Sequence, residues 1–135
     1  MTRYSGSCLC RKVAFEIDAA ARKFYFCHCE QCRKLTGSAH ASNLLTEPAE
    51  VNWLHGGAYV RRYDAAEGRQ FTHVFCSECG SALPFLNISA TALIIPAGSL
   101  DSPVDIQVTD NIFWDEAPEW YRRGIGAPRC SGFPE

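Results

Sequence analysis

The sequence predicts a mainly β fold of short antiparallel strands, with one short helix and metal-binding knuckles. Three observations lead to this prediction. Apolar and polar residues alternate over short stretches, glycine and proline interrupt the chain at short intervals, and seven of the eight cysteines lie in three tight clusters. Short strands joined by cysteine-bearing loops are typical of small zinc-containing domains.

The first half of the chain carries two predicted strands and the predicted helix. In residues 13–17 the side chains alternate with a period of two, as in a strand with one buried face. Residues 23–27 form an aromatic run that leads into the middle cysteine cluster. We expect the helix to begin near Cys29 and to end before Gly37, because a glycine at C′ and basic residues in the last turn favour a helix end there.

The second half carries four further predicted strands. Residues 59–63 are β-prone and flanked by glycines, and residues 71–75 lead into the third cysteine cluster. Residues 93–95 have the character of a buried strand that ends at a proline, and residues 106–108 are expected to form another strand. Repeated prolines predict that the C-terminal third is mostly loop.

Length and composition restrict the class of protein. The chain has 135 residues, so we expect residues 1–135 to form a single domain. Its formal net charge is −2 and its Lys and Arg residues form no stripe, which argues against a nucleic-acid partner. The apolar runs are too short to cross a bilayer and the N-terminus lacks an apolar signal region, so we expect a cytoplasmic protein without membrane contact.

The two outer cysteine clusters predict a structural zinc site. Cys8 and Cys10 form a C-x-C pair, and Cys76 and Cys79 form a C-x-x-C knuckle followed by Gly80. Four thiolates are the closed ligand set of a structural zinc ion. The alternatives are buried apolar thiols or disulfides, but pairs one or two residues apart seldom bridge locally, and the predicted cytoplasmic location disfavours disulfides.

The middle cluster predicts a different kind of metal site. Cys27, Cys29 and Cys32 supply three thiolates at the junction of a strand and the helix. Three thiolates on zinc leave one coordination position open, as in catalytic zinc sites. A thiol bound there would lose its proton near neutral pH, and a carbonyl could instead be polarised there.

A second structural site remains an alternative for the middle cluster if a fourth ligand lies elsewhere in the chain. The candidate fourth ligands are Cys130, His40, His55 and His73. His28 stands between two of the cysteines, so we expect its side chain to point away from the metal, towards a hydrogen-bond partner or solvent.

Taken together, the cysteine patterns resemble those of the glutathione-dependent formaldehyde-activating (Gfa-like) family. The matching stretches are C-x-C within residues 6–15, C-x-C-x-x-C within 27–38, C-x-x-C-G within 75–81 and A-G-S-L-D at 97–101, and the resemblance covers residues 4–121. It implies a zinc-containing complex of short antiparallel β-sheets, similar to that of the Rab-binding zinc chaperones.

The resemblance also implies two Zn²⁺ ions and a carbon–sulfur lyase activity. Cys8, Cys10, Cys76 and Cys79 match the structural zinc ligands, and Cys27, Cys29 and Cys32 match the catalytic zinc ligands. The implied reaction is the synthesis of S-(hydroxymethyl)glutathione from glutathione and formaldehyde. One departure stands out: where the family pattern has His-Ile, this chain has Asn111-Ile112, and asparagine does not titrate.

Charged residues near the clusters are candidate contacts for glutathione, which carries two carboxylates and one ammonium group. Arg33 and Lys34 are the expected carboxylate partners, although they also suit a helix C-terminus. Arg61, Arg62 and Arg69 are weaker candidates. Asp115 and Glu116 could contact the ammonium group, although acidic loop residues are more often solvated.

A non-enzymatic role is the rival hypothesis. Relatives of the same fold include the Rab-binding zinc chaperones and the centromere protein V group, so the chain could be a partner-recognition module with a closed or absent middle metal. Short edge strands would also permit a homodimer.

Overall fold

The computed structural model describes residues 1–134, which form ten short strands, two α-helices and three short 3-10 turns. The strands are β1 (Thr2–Ser7), β2 (Ala14–Ala19), β3 (Ala21–Cys27), β4 (Ala41–Thr46), β5 (Asn52–His55), β6 (Val60–Asp64), β7 (Thr72–Cys76), β8 (Phe85–Leu86), β9 (Leu93–Pro96) and β10 (Asp110–Ile112). The helices are α1 (Glu30–Thr36) and α2 (Glu119–Gly124).

The strands form three sheets around one apolar core. The sheets have the orders β1-β2-β5, β10-β3-β4-β9-β8 and β6-β7. All pairings are antiparallel except that of β10 with β3, which is parallel. Each sheet contributes fully or almost fully buried side chains to the core, among them Phe15 and Ile17 from β2, Leu44 from β4 and Val74 from β7.

The mainly β prediction is confirmed, as are most of the individual elements. Strands occupy the regions predicted around residues 13–17, 23–27, 59–63, 71–75 and 93–95. Helix α1 is capped by Cys29 at its start and by Gly37, at φ +67°, at its end.

The C-terminal third is mostly loop, as predicted, but one predicted strand is wrong and one helix was not predicted. Residues 106–108 form no strand but an extended loop, in which the half-buried Ile106 packs against the core. This third also contains α2, which starts directly after Pro118. Proline is favourable at a helix start because its nitrogen needs no intrahelical partner there. An i,i+4 ion pair of 3.1 Å between Glu119 and Arg123 adds support.

One face of the five-stranded sheet packs into the core, and the other face points away from it. Alternate residues such as Leu44, Leu93 and Ile95 are fully buried in the core. The intervening residues point to the opposite face, because successive side chains of a strand alternate. Cross-strand register aligns them in rows, one of which joins Tyr25 and Asn43.

Within residues 1–134, neither helix is long and apolar enough to pass through a membrane.

Candidate metal centres

The four outer cysteines converge at one point, although 66 residues separate Cys10 from Cys76. The Sγ atoms of Cys8 and Cys10 lie 3.5 Å apart, and those of Cys10 and Cys76 lie 3.9 Å apart. Cys79 completes the group, and its four sulfur atoms all lie within 4.8 Å of one another. The group joins the end of β1 to the end of β7.

Backbone and hydroxyl groups around this group face its sulfur atoms. The Val13 amide donates to Cys8 Sγ at 3.3 Å, and the Glu78 amide donates to Cys76 Sγ at 3.4 Å. The Ser81 hydroxyl lies 3.2 Å from Cys79 Sγ, and this contact is the main reason that the pKa of Cys79 is lowered to about 5. Hydrogen bonds of this kind stabilise a thiolate.

The three middle cysteines form a second, more deeply buried group. Cys27 is the last residue of β3, Cys29 caps α1, and Cys32 lies in the first turn of α1. Their side chains are 6%, 2% and 4% exposed, and the three sulfur atoms lie within 4.8 Å of one another. The Cys32 amide donates to Cys29 Sγ at 3.3 Å. We call residues 27–32 the three-Cys loop.

The pKa values of two thiols in this loop are shifted in opposite directions. The pKa of Cys27 is lowered to about 6, chiefly because the Cys32 thiol hydrogen-bonds to its sulfur, and also by the charge of Arg69. The pKa of Cys32 is raised, first by that same hydrogen bond and then by burial. Metal binding needs the thiolate form, so the loop already favours the first of the deprotonations that a metal requires.

Within residues 1–134, no fourth Cys, His, Asp or Glu donor atom joins the three sulfur atoms at that spacing. The four candidate fourth ligands lie elsewhere. His40 stacks on Phe26, His73 stacks on Phe75, His55 hydrogen-bonds to a backbone carbonyl, and Cys130 is exposed near the C-terminus. The described chain thus presents a three-sulfur group and a four-sulfur group.

His28 is fully buried, and its ring is held by partners other than a cluster sulfur. Its Nε2 lies 3.0 Å from Asn111 Oδ1, so this nitrogen carries the proton and donates it to the amide oxygen. The ring also lies at 5.0 Å from the Trp114 ring, measured between centroids. We expected the His28 side chain to meet either a hydrogen-bond partner or solvent, and the structure shows the hydrogen-bond partner.

A cavity of about 480 Å³ lies over the outer face of the five-stranded sheet and reaches Cys27 and Cys32. We call it the sheet cavity. Its lining residues come from six strands, from α1 and from loops. Most of them are apolar, among them Tyr25, Leu35, Leu45, Phe71, Phe85, Ile88, Ile94, Ile112 and Phe113.

A second cavity of about 490 Å³ lies on the other side of the three-Cys loop and reaches Cys29. We call it the charged cavity, because its lining includes two cationic and two anionic side chains, those of Lys34, Arg69, Glu30 and Glu116. Neither of these two cavities is lined by a cysteine of the four-sulfur group.

Of the cationic side chains that could contact glutathione, Lys34 and Arg69 line a cavity beside the three-Cys loop and Arg33 does not. Lys34 lines the charged cavity, whereas Arg33 lines neither cavity and its buried Nε has no hydrogen-bond partner. Arg69 lines both cavities, and its guanidinium lies 3.9 Å from the centroid of the Phe113 ring. Arg69 is only a weak candidate from the sequence, because it lies in a loop 37 residues beyond Cys32 and nothing local in the sequence signals their proximity.

Phe113 is the functional-site residue that sequence reasoning missed. It has a left-handed backbone, with φ +54° and ψ +41°, just before a 3-10 turn. A bulky residue rarely adopts this conformation, and such strain often lies at functional sites. Here the strained residue lines the sheet cavity and stacks against Arg69.

The chemistry of both groups suits a metal ion. Four thiols, or three with an open side, are all-sulfur donor sets, which zinc accepts readily. Both groups could therefore hold a metal ion, and their composition is consistent with zinc.

Comparisons with known proteins agree with this architecture. Residues 3–116 match the family model described as glutathione-dependent formaldehyde-activating enzyme. A crystal structure of a Rhodobacter sphaeroides protein is 18% identical with a TM-score of 0.58, and the match covers 75% of this chain and 91% of that chain. At this identity the likeness shows the fold alone. No curated protein matches the chain.

Proposed function

Because this chain belongs to the glutathione-dependent formaldehyde-activating enzyme family, we propose that it is a zinc-dependent carbon–sulfur lyase. In the synthetic direction it condenses glutathione, or another thiol, with formaldehyde or a similar small electrophile. The observation that carries this proposal is the three-Cys loop, whose three buried sulfur atoms converge between two cavities.

The two cysteine groups have different roles in this proposal. Cys8, Cys10, Cys76 and Cys79 hold a structural zinc ion that joins the first and third sheets. Cys27, Cys29 and Cys32 hold a catalytic zinc ion, which when bound lowers the pKa of a substrate thiol. The absence of a fourth donor at this loop within residues 1–134 supports this division.

The chemical step itself is an addition. The sulfur of the thiol forms a bond to the carbonyl carbon, the carbon–oxygen π bond breaks, and the oxygen takes the proton that the thiol has lost. No oxidant or reductant is consumed. The protein residues hold the thiolate form and bring the two reactants together, which removes much of the entropic part of the barrier.

The charged cavity suits the body of glutathione. Lys34 and Arg69 can pair with its two carboxylates, and Glu30 or Glu116 can pair with its ammonium group. The Glu116 carboxylate already accepts a hydrogen bond of 3.0 Å from the Glu30 amide, which fixes its position beside the three-Cys loop. Arg33, which lies outside both cavities, has no role in this proposal.

The test is NMR exchange spectroscopy on glutathione and formaldehyde at equilibrium. Zinc-loaded protein should raise the rate of exchange between free and hydroxymethylated glutathione above the uncatalysed rate, which is itself fast and must be subtracted. The Cys32→Ser protein, at the same concentration and with the same added zinc, is the matched control. Exchange that the native protein leaves unchanged would contradict the proposed activity.

A further inference from the structure

The two cavities beside the three-Cys loop differ in the charge of their linings: four charged side chains line the charged cavity, whereas the lining of the sheet cavity includes one, that of Arg69. The charged cavity reaches the loop at Cys29, whereas the sheet cavity reaches it at Cys27 and Cys32. Arg69 lies at the boundary and lines both. Two substrates that react at one centre must both reach it. The two cavities give access to this loop from two directions, and their different linings would select different molecules.

Register places a row of apolar side chains, beside Asn43, on the floor of the sheet cavity. Leu45 on β4 pairs with Ile94 on β9, and Ile94 pairs with Phe85 on β8, so that the three side chains form one continuous row. The sequence neighbours of Leu45 and Ile94 are buried in the core, which fixes the row on the cavity side.

The Cys27 sulfur belongs to the same face of the sheet. Cys27 is two residues beyond Tyr25 on β3, so both side chains point to the cavity side. Cys27 pairs with Ala41 on β4 and with Ile112 on β10, and both neighbours also line the cavity. A molecule lying along the apolar floor would therefore place one end at the Cys27 sulfur.

The volume of this cavity exceeds what formaldehyde needs. A molecule of two heavy atoms fills a few tens of cubic ångströms, since one water molecule takes about 30 Å³ of liquid. The sheet cavity, at about 480 Å³, lies in the range of sites that bind much larger ligands. Its lining also suits glutathione poorly, because it offers one Lys or Arg side chain, that of Arg69, for two carboxylates, and burying a carboxylate without a partner is costly.

We propose that the sheet cavity binds the apolar chain of an aldehyde larger than formaldehyde, while the charged cavity binds the thiol. The inference rests on the proposed function and specifies its electrophile. The aldehyde carbon lies at the Cys27 end of the cavity, and its chain extends over Leu45 and Ile94 towards Phe85. The Phe113 ring closes the rim beside Arg69.

The reaction is the same addition, with a different carbonyl compound. A carbon–sulfur bond forms between the thiol and the aldehyde carbon, the π bond breaks, and its electron pair goes to the oxygen, which is then protonated. The product is a hemithioacetal, and the thiol proton balances the equation.

Chain length is the variable that tests this inference. Exchange spectroscopy is run with zinc-loaded protein, glutathione, and formaldehyde, ethanal, butanal or hexanal, each at the same subsaturating concentration of unhydrated carbonyl. From ethanal onwards the catalysed exchange rate should rise about fourfold for each added methylene until the cavity is filled, as expected for burial of a methylene group.

A pair of variants locates the effect. Ile94→Trp adds bulk to the cavity floor and should remove the dependence on chain length. Leu54→Trp adds the same ring at an exposed site on β5, outside the cavity, and should keep the dependence. If Ile94→Trp does not fold, hexan-1-ol with the native protein serves instead. It should inhibit competitively against hexanal and not against glutathione.

The outcomes separate the inference from the proposed function. A rate independent of chain length, with formaldehyde exchange retained, would overturn the inference and leave the proposed function standing. Competition of hexan-1-ol with glutathione would also overturn it, since the cavity would then belong to the thiol. Loss of exchange with every aldehyde would overturn the proposed function together with the inference.

Discussion

The His28 imidazole and the Asn111 amide are joined by a hydrogen bond of 3.0 Å, although 83 residues separate them in the sequence. A second bond of 3.0 Å, from the His28 amide to the Ile112 carbonyl, lies beside it. Together they attach the three-Cys loop to β10. Asn111, where the family resemblance leads us to expect histidine, meets the need of a buried ring for an acceptor without introducing a titratable group.

Replacing Asn111 should reveal the strength of this attachment. Asn111→Leu leaves the fully buried His28 ring with no hydrogen bond, so the free energy of unfolding should fall by about 1–3 kcal/mol. Asn111→Asp keeps an acceptor oxygen and should retain most of the stability. Urea denaturation of the zinc-loaded proteins measures both, and equal losses for the two variants would argue against the hydrogen bond.

Serine substitutions should separate the two cysteine groups. Cys79→Ser removes one ligand of the proposed structural site and should lower the free energy of unfolding by several kcal/mol, on the order of what one structural ligand contributes. Cys32→Ser should abolish the catalysed exchange while the protein stays folded. Cys130→Ser, at an exposed position near the C-terminus, is the control and should change neither. Equal unfolding of the Cys79 and Cys32 variants would contradict the division.

Zinc counting distinguishes an enzyme from a binding module. The proposed function predicts two zinc ions per chain, one of which a mild chelator removes first, because three thiolates enclose an ion less completely than four. The chelator should produce two phases of zinc release, and the fast phase should coincide with the loss of activity while circular dichroism is unchanged. A single tightly held zinc ion would favour a partner-recognition module instead.

Two glycine substitutions test the packing between the first sheet and the 3-10 turn after β9. A Cβ atom at Gly6 would overlap both the Phe15 ring and the Ser99 carbonyl oxygen, so Gly6→Ala should cost about 1–3 kcal/mol or more. Gly124, in α2, has open space around it, and Gly124→Ala should be neutral or slightly stabilising. Thermal unfolding compares the two, and a similar loss at both positions would argue against the close approach at Gly6.

The Asp105 carboxylate makes a pH-dependent contribution to stability. Hydrogen bonds from Thr2 and from the fully buried Tyr4 lower its pKa, and the Tyr4 bond is 2.6 Å long. A carboxyl whose pKa is lower in the folded state stabilises the fold above its unfolded pKa, near 4, and loses this effect as pH falls through the folded pKa.

Asp105→Asn should therefore lower the free energy of unfolding by about 1 kcal/mol at neutral pH, a value that allows for solvent screening. The difference from the native protein should shrink as pH falls below about 4. Urea denaturation of both proteins across this range measures it, and Asp115→Asn, at an exposed residue, is the control. A difference that does not vary with pH would contradict the role of the charge.

Sequence reasoning predicted the local features well, because each depends on neighbouring residues. The cysteine spacing, the strand that ends at Cys27, and the α1 boundaries at Cys29 and Gly37 are all encoded within a few residues. The membership in the family followed from the same cysteine patterns. The single-domain organisation and the individual roles of the cysteines stay predictions.

The parts that escaped prediction depend on contacts between distant segments. Phe113 and Arg69 meet across 44 residues, and no periodicity in either segment indicates it. The parallel pairing of β10 with β3 escaped for the same reason. At residues 106–108 the apolar pattern was genuine, but Ile106 packs against the core from a loop rather than from a strand.

The wide separation of the C-x-C and C-x-x-C pairs has a consequence for synthesis on the ribosome. The sulfur atoms of the three-Cys loop are all present once Cys32 has emerged, whereas the four-sulfur group must wait for Cys79. Until then Cys8 and Cys10 remain a two-thiol fragment on a nascent chain, open to oxidation or to capture of the wrong ion. The three-sulfur set is thus complete on the nascent chain before the four-sulfur set.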